Sequence, residues 1–229
     1  MKNSNKQLSY YKPRGVIFIV LVLMLFFTFC KTKIKVNKET TLPYFNSAEF
    51  TPEWIAKGSL EYNDIHTVPD FNLINQEGNV ITKQYYKDKI YVADFFFATC
   101  PGICPILEKN MSKIQEEYKN DSNVLLLSHT VMPVKDSVSV LKKYALDNDI
   151  DSKKWNLLTG DKKQIYNLAR KGYFADEDFK KTQNADAFIH TENFILVDKK
   201  GRIRGVYNGT LALEMKRLIR HIEILKKED

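Results

Sequence analysis

A short apolar run that leads directly into a pair of cysteines is the feature that most constrains this chain. The run, Lys89–Phe97, reads KIYVADFFF, and its length and aromatic content are typical of a buried central strand. Cys100 and Cys104 follow it, and apolar residues then recur at helical spacing as far as Tyr118. The sequence therefore predicts a central strand that turns, through both cysteines, into a helix.

Apolar runs alternate with helical patterns along the rest of the body. Two turn signals, Gln76–Asn79 and Lys199–Gly201, separate short strands as in hairpins. The other predicted strands are Phe71–Ile74, Val80–Thr82, Val124–Ser128, Trp155–Leu158, Phe194–Asp198 and Arg202–Tyr207, and the other predicted helices are Ser137–Leu146, one capped by Asp161 that runs through Arg170, and Leu211–Lys226. This order predicts an α/β fold with a mixed sheet flanked by helices, and it matches a thioredoxin-like fold.

The amino-terminal segment carries an almost purely apolar run, Gly15–Cys30, with basic residues on both sides. As a helix it would span about 24 Å, slightly less than the hydrocarbon core of a bilayer. No small-residue cleavage pattern precedes Cys30, so we expect an uncleaved anchor, while a lipidated Cys30 and a cleaved signal peptide stay open. The predicted organisation is a short cytoplasmic N-terminus (1–14), a transmembrane anchor (15–30), a connector (31–68) and a thioredoxin-like domain (69–229).

The net charge of +7 and the isoelectric point near 9.1 come from the amino-terminal segment alone. Eight of the 35 basic residues and none of the 28 acidic ones precede Glu39, which leaves 27 basic against 28 acidic residues in the remainder. The body thus has no overall basic field for a nucleic-acid backbone, and we expect no nucleic-acid partner. We favour a single-pass protein of the inner membrane whose domain faces the periplasm or another exported compartment, although basic residues flank the run evenly.

Cys100 and Cys104 are the only cysteines of the predicted domain, and they open a helix. Free N–H groups and positive partial charge at a helix N-terminus favour a thiolate, and two thiolates are soft ligands suited to Cu(I) or Zn. The same pair can also oxidise to a disulfide. Two buried core cysteines are the alternative, but the neighbouring prolines and Gly102 indicate a turn.

A metal site needs a third ligand, and four histidines are candidates. His66 lies in the connector, and His221 lies in a charged helix where we expect it at the surface. His129 ends a predicted central strand and could approach the start of the helix. His190 precedes a strand whose start, in a thioredoxin-like sheet, faces the cysteine turn. We therefore expect His190 to be the ligand, with His129 as the second choice.

The residues Asp94–Pro105, followed much later by His190–Asp198 and Gly201, resemble the Sco/SenC copper chaperones, and the likeness extends over roughly Pro69–Lys226. This resemblance implies a membrane-tethered domain that binds one copper ion per chain and helps to assemble the dinuclear copper centre of cytochrome c oxidase. The copper-binding subunit of the oxidase and a thiol reductant protein are the implied partners. The implied ligands are Cys100, Cys104 and His190.

The loop after the second buried strand departs from the family pattern. Met132 stands where the family usually has an aspartate before the proline, whereas Asp136 and Ser137 fit the rest. A thioether is a weak soft ligand, but packing or surface exposure is the more common role of a methionine. We assign Met132, Asp136 and His129 to the surroundings of the ligands.

We expect the protein to transfer a metal ion and not to catalyse a reaction. The one enzymatic activity that stays open is that of a thiol-disulfide reductase. The main alternative is a thiol-disulfide oxidoreductase acting on a partner's cysteines. Against it, the cysteine spacing is one residue longer than Cys-x-x-Cys, and no proline follows Pro133 to supply the cis-proline of that fold. A peroxiredoxin would have a proline and a threonine where this chain has Ala93 and Phe97. A copper or redox sensor would share the ligands and stays open.

Overall fold

The computed structural model describes residues Thr40–Asp176, Ile189 and Thr191–Glu228. The predicted anchor at Gly15–Cys30 and the predicted ligand His190 lie outside these residues. Within them, no helix combines the length and the apolar content that crossing a membrane requires. The described strands and helices all belong to one unit of the chain, Val36–Asp229.

The strands of the described residues form a single mixed sheet. They are β1 Asn72–Asn75, β2 Val80–Thr82, β3 Ile90–Phe96, β4 Val124–Thr130, β5 Trp155–Thr159, β6 Asn193–Val197 and β7 Ile203–Asn208. Their spatial order is β2-β1-β5-β4-β3-β6-β7. β3, β4 and β5 run parallel in the centre, and the outer strands join them antiparallel. Every residue of the three central strands is buried, as their nearly continuous apolar runs predict.

The helices lie between and after the strands, and Asp161 caps one of them as the sequence predicts. They are α1 Cys104–Glu117, α2 Val138–Asp147, α3 Lys162–Asn167 and α4 Ala212–Lys227. Ser137 caps α2 by accepting a hydrogen bond from Val140 N–H at 3.4 Å, and Asp161 caps α3 by accepting one from Gln164 N–H at 2.7 Å. The predicted helix through Arg170 is α-helical only as far as Asn167 and then continues as a π turn to Gly172.

Two apolar cores fill the two faces of the sheet. On one face, α1, α2 and α4 cover the central strands with buried side chains such as Leu107, Leu141 and Leu218. On the other face, α3 and the segments before β1 and after α3 contribute Ile165, Phe71 and Tyr173. A fully buried side chain of this size stabilises the fold by about 1.5–3 kcal/mol relative to exposure, so the helical faces fix the layer arrangement. The mixed α/β sheet flanked by helices is therefore confirmed.

The topology gathers the loops that bear the predicted site. The carboxyl ends of the parallel strands β3 and β4 lie at the same end of the sheet, since Phe96 pairs with Thr130. β6 runs antiparallel to β3, so the segment that precedes Asn193 approaches that same end. The cysteine turn, the loop after β4 and the residues around position 190 thus converge.

Candidate metal centre

The cysteine turn connects the buried end of β3 to the first turn of α1. Cys100 N–H donates to the Phe97 carbonyl at 3.2 Å, and Cys104 is the first residue of α1. A side chain at Gly102 would approach the Cys100 sulfur, because an added Cβ would lie 3.9 Å from it. Both cysteines are free thiols; Cys100 is half-buried and Cys104 is buried. The pair therefore presents one sulfur toward solvent and one toward the core.

The start of α1 supplies donors to the more exposed sulfur. No side chain of the part of the chain that the structure describes caps this helix, so its first N–H groups are available to another acceptor. Burial alone raises the pKa of the Cys100 thiol, but the N–H and thiol of Cys104 and the N–H groups of Gly102 and Ile103 outweigh it, and the pKa is lowered. Burial raises the pKa of Cys104 to about 12, with the charges of Cys100 and Asp94 acting in the same direction. Cys100 is thus the more acidic thiol of the pair.

A cavity of about 340 Å³ opens beside both cysteines. Aromatic and aliphatic side chains from β3, from the loop after β4 and from the segment before β6 complete its walls. Its lining residues are Phe95, Phe96, Phe97, Cys100, Pro101, Gly102, Ile103, Cys104, Val131, Ile189 and Thr191. A largely apolar wall around two thiols favours a soft, weakly hydrated ion over a hard one.

The two chain neighbours of the predicted third ligand lie in the wall of the same cavity. His190 lies outside the described residues, whereas Ile189 and Thr191 on either side of it line the cysteine cavity and are buried. Among the residues with described positions, no group of three or more His, Cys, Asp and Glu side chains is arranged to hold a metal ion. The assignment of His190 as a ligand therefore stays a prediction.

The SCO1/SenC family profile matches residues 61–226 of this sequence. The chain belongs to the SCO1/SenC family.

Individual relatives agree with this assignment. The SCO1 protein homolog of Bacillus subtilis is 32% identical over 146 residues, which are 63% of this chain and 75% of the relative. The structure of BsSco is 24% identical and covers 77% of this chain and 100% of that one, with a TM-score of 0.61. The structure of Bradyrhizobium japonicum ScoI with copper bound is 22% identical and covers 68% and 99% of the two chains, with a TM-score of 0.53. At these identities the two structures show the Sco-like thioredoxin fold.

In this SCO1/SenC protein, Asp136 ties the loop after β4 to the cysteine turn. Asp136 is fully buried, and its Oδ2 accepts hydrogen bonds from the Ala98 N–H at 3.1 Å and from the Thr130 hydroxyl. Thr130 Oγ1 in turn accepts from the Met132 N–H at 3.0 Å. Ala98 lies two residues before Cys100, so this carboxylate fixes the approach of the backbone to the first cysteine. The family pattern assigned Asp136 to the surroundings of the ligands, but it did not indicate these hydrogen bonds.

Met132 and His129 pack against the sheet face opposite the one that Cys104 occupies. The Met132 side chain is half-buried against that core and does not line the cysteine cavity. His129 is fully buried, with its ring stacked on Phe95 at 5.1 Å and 5.5 Å from the ring of Tyr173. Neither ring nitrogen of His129 has a hydrogen-bond partner among the described residues, and burial lowers its pKa to about 3. The structure thus places a neutral imidazole in an aromatic cluster and not among the cavity residues.

The other two histidines take up structural contacts. His66 Nε2 lies 2.8 Å from the Gly172 carbonyl, next to the ring of Phe174. His221 was expected at the surface, but it is half-buried, and its Nδ1 lies 2.8 Å from the hydroxyl of Tyr207. The helix face that carries His221 packs toward β7, and that explains the difference.

Sequence reasoning missed Asp94 as part of the site's surroundings. Asp94 lies in β3 on the side of Val92 and Phe96, which pack in the same core as Cys104. Its Oδ1 accepts a hydrogen bond from Ser128, whose Oγ accepts one from Trp155 Nε1 at 2.7 Å. Burial raises the pKa of Asp94 to about 7, against the hydrogen bond from Ser128. The sequence does carry a signal for this role, because Asp94 is the one charged residue within the apolar run Ile90–Phe97.

Proposed function

We propose that this SCO1/SenC protein is a membrane-tethered metallochaperone that delivers copper to the dinuclear centre of cytochrome c oxidase. The observation that carries the proposal is the shared cavity, in which two free cysteines meet the residues on either side of His190. Two relatives support it. ScoI of Bradyrhizobium japonicum has been solved with copper bound, and BsSco is described as a member of the Sco family of cytochrome c oxidase assembly proteins.

The donor set fits a copper ion as cargo. Cys100 and Cys104 supply two sulfur ligands, and an imidazole from His190 supplies a nitrogen, a combination suited to Cu(I). The phenyl and aliphatic walls contributed by Phe96, Phe97 and Val131 offer no side-chain oxygen or nitrogen that would compete with the sulfur ligands for the ion. The residues present therefore match a soft monovalent ion, one per chain.

The unequal burial of the cysteines sets an order for loading and release. Cys100 is the more exposed sulfur and carries the lowered pKa, so it meets an incoming ion first. Cys104 must lose its proton to become a ligand, and burial makes that costly until the ion compensates the charge. On delivery, a donor group of the acceptor approaches from the exposed side and displaces Cys100 before Cys104. The protein catalyses no reaction in this transfer; it binds the ion and passes it to the acceptor.

Oxidation state gates this transfer. When Cys100 and Cys104 form a disulfide, two thiolates lose two electrons to an oxidant, and both sulfur ligands are lost. A thiol reductant protein must then return those two electrons, with protons from solvent, before copper can bind. We therefore propose such a reductant as a partner, alongside the copper-binding subunit of the oxidase. The location is part of the same proposal: residues 15–30 anchor the chain in an inner membrane, and the domain faces the exported side.

Copper titration of the reduced full chain tests the ligand assignment. One Cu(I) per chain is expected to bind in competition with a chelator. Cys100→Ser, Cys104→Ser and His190→Ala should each weaken binding at least about tenfold, because even the loss of a group that only orients a metal ligand costs about that much. Cys30→Ser and His66→Ala serve as matched controls and should bind as the parent does. Tight stoichiometric binding by His190→Ala would remove that histidine from the set.

A cellular measurement separates delivery from disulfide exchange. Deletion of the gene is expected to lower cytochrome c oxidase activity when copper is scarce, and added copper should restore part of it. Normal oxidase activity together with wrongly oxidised or reduced cysteines in other exported proteins would instead favour the oxidoreductase alternative.

A further inference from the structure

The described chain begins at the end of the sheet opposite the cysteines. The guanidinium of Arg204 donates to the Leu42 carbonyl at 2.6 Å, and the Phe45 N–H donates to the Ile203 carbonyl at 3.1 Å. Both partners lie at the start of β7. Since β6 runs antiparallel to β3, the turn from β6 into β7 adjoins the amino end of β3. β3 is seven residues long, so this end lies about 20 Å from the start of the cysteine turn.

Lysines are concentrated at this same end. A cleft of about 610 Å³ lies between the segment before β3 and the β6–β7 turn. Lys87 and Lys200 on its rim are exposed, and Lys199 is half-buried. The charged residues lining the cleft are the lysines Lys83, Lys87, Lys199 and Lys200 and the aspartates Asp70 and Asp88. The cleft therefore carries two more positive than negative charges, although the body as a whole is close to neutral.

Exposed apolar side chains accompany these lysines. Tyr85 is 43% exposed, and its ring packs at 5.2 Å against Tyr86, which lines the cleft. Leu60 is 85% exposed in a single helical turn, and the ring of Tyr62 in that turn lies 5.5 Å from the Lys200 ammonium group. Lysines mixed with a tyrosine and a leucine are the side chains that a bilayer interface accommodates, because the charges meet headgroups and the apolar groups reach the acyl boundary.

We infer that this face, made of Leu60, Tyr85, Lys87, Lys199 and Lys200, docks on an anionic phospholipid surface. The inference rests on the membrane tether of the proposed function. Nine residues, 31–39, separate the predicted anchor from Thr40, and they reach at most about 30 Å when fully extended. A tether this short makes even weak attraction effective, because docking becomes intramolecular. Docked in this way, the protein turns its cysteine cavity away from the bilayer, toward soluble portions of a partner.

Lysine acylation of the full chain in nanodiscs tests the docking face. The chain is inserted in nanodiscs of phosphatidylcholine alone or of an equal mixture of phosphatidylcholine and phosphatidylglycerol, and the reaction rate of each lysine is read by mass spectrometry. In the anionic nanodiscs Lys87 and Lys200 should react about fivefold more slowly, and high salt should abolish the difference. Lys109 on α1 and Lys163 on α3 are exposed lysines of the cysteine end, and they should react equally in both lipids.

Charge reversal supplies the matched variants. Lys87→Glu combined with Lys200→Glu should remove the lipid dependence of acylation at Lys199, whereas Lys109→Glu combined with Lys163→Glu should preserve it. Equal reactivity of the face in both lipids, in a chain that is inserted, would overturn the inference while leaving copper delivery intact. Protection that requires an added acidic protein, and not anionic lipid, would overturn it in favour of a protein partner. A chain that fails to insert would refute the tether and the docking face together. Copper binding by the cysteines would still be tested separately, by the copper titration.

Discussion

Replacing Asp94 with Asn should stabilise the protein at neutral pH and should flatten its dependence on pH. The buried carboxyl has its pKa raised by burial from an ordinary value of 3.8 to about 7. Asn keeps a carbonyl oxygen that accepts the hydrogen bond from Ser128, so the change removes the ionisable group with little change of shape. The comparison thus isolates the cost of a carboxylate buried beneath the cysteine turn.

The magnitude follows from linkage between protonation and folding. Below about pH 4 the carboxyl is protonated in both the folded and the unfolded state, and it affects stability little. Between about pH 4 and 7 the unfolded chain releases the proton while the folded chain retains it, so the free energy of unfolding of the parent falls as pH rises. A shift of about three pKa units corresponds to roughly 4 kcal/mol, reached above pH 7 and constant thereafter. The Asp94→Asn variant has no carboxyl at this position, so its free energy of unfolding does not fall in this way as pH rises.

Urea unfolding of the reduced full chain at several pH values measures the difference. The gap in unfolding free energy between Asp94→Asn and the parent should widen by about 4 kcal/mol from pH 4 to pH 8. Asp121→Asn is a control of opposite sign, because a hydrogen bond from Lys226 lowers the pKa of Asp121, and its carboxylate should favour folding at neutral pH. A gap that stays constant with pH would refute the idea that Asp94 is protonated in the folded protein at mildly acidic pH.

Three further substitutions probe the surroundings of the cysteines. His129→Phe should raise the free energy of unfolding by about 1–2 kcal/mol in chemical denaturation, because it removes a buried imidazole with two unpaired nitrogens from an aromatic cluster; a lower stability would contradict that assignment. Met132→Asp should leave Cu(I) affinity unchanged in a chelator competition, since Met132 does not line the cavity, and a clear change would restore it as a neighbour of the metal. Asp136→Leu should weaken copper binding and shift the reduction potential of the Cys100–Cys104 disulfide more than Thr130→Val does, because only Asp136 accepts the Ala98 N–H and Leu has no acceptor; equal effects would indicate general destabilisation.

Much of the fold was predictable because its signals are local. The apolar runs that became β3, β4 and β5 need burial on both faces, and the Ser137 and Asp161 caps mark where their helices begin. Gly201 takes a positive φ of 78° in the β6–β7 turn, as its hairpin signal requires. These features depend on residues close in sequence.

The features that the sequence did not predict depend on contacts between residues that are far apart in the chain. His129 was expected at the end of β4, but the strand continues through Thr130, and its pairing turns the imidazole toward Phe95 on the face opposite Cys104. The hydrogen bond from Ala98 to Asp136 joins residues 38 positions apart, and no local pattern indicates it. The role of Asp94 likewise depends on which core its side chain enters. The ligand role of His190 rests on the family resemblance and on the position of its two chain neighbours.

X-ray absorption of the reduced full chain loaded with one equivalent of Cu(I) tests the central claim most directly. We expect two sulfur ligands and one nitrogen ligand per copper, with one sulfur lost in Cys104→Ser and the nitrogen lost in His190→Ala. Copper bound by the parent without a nitrogen ligand, or coordination that is the same in His190→Ala as in the parent, would contradict it.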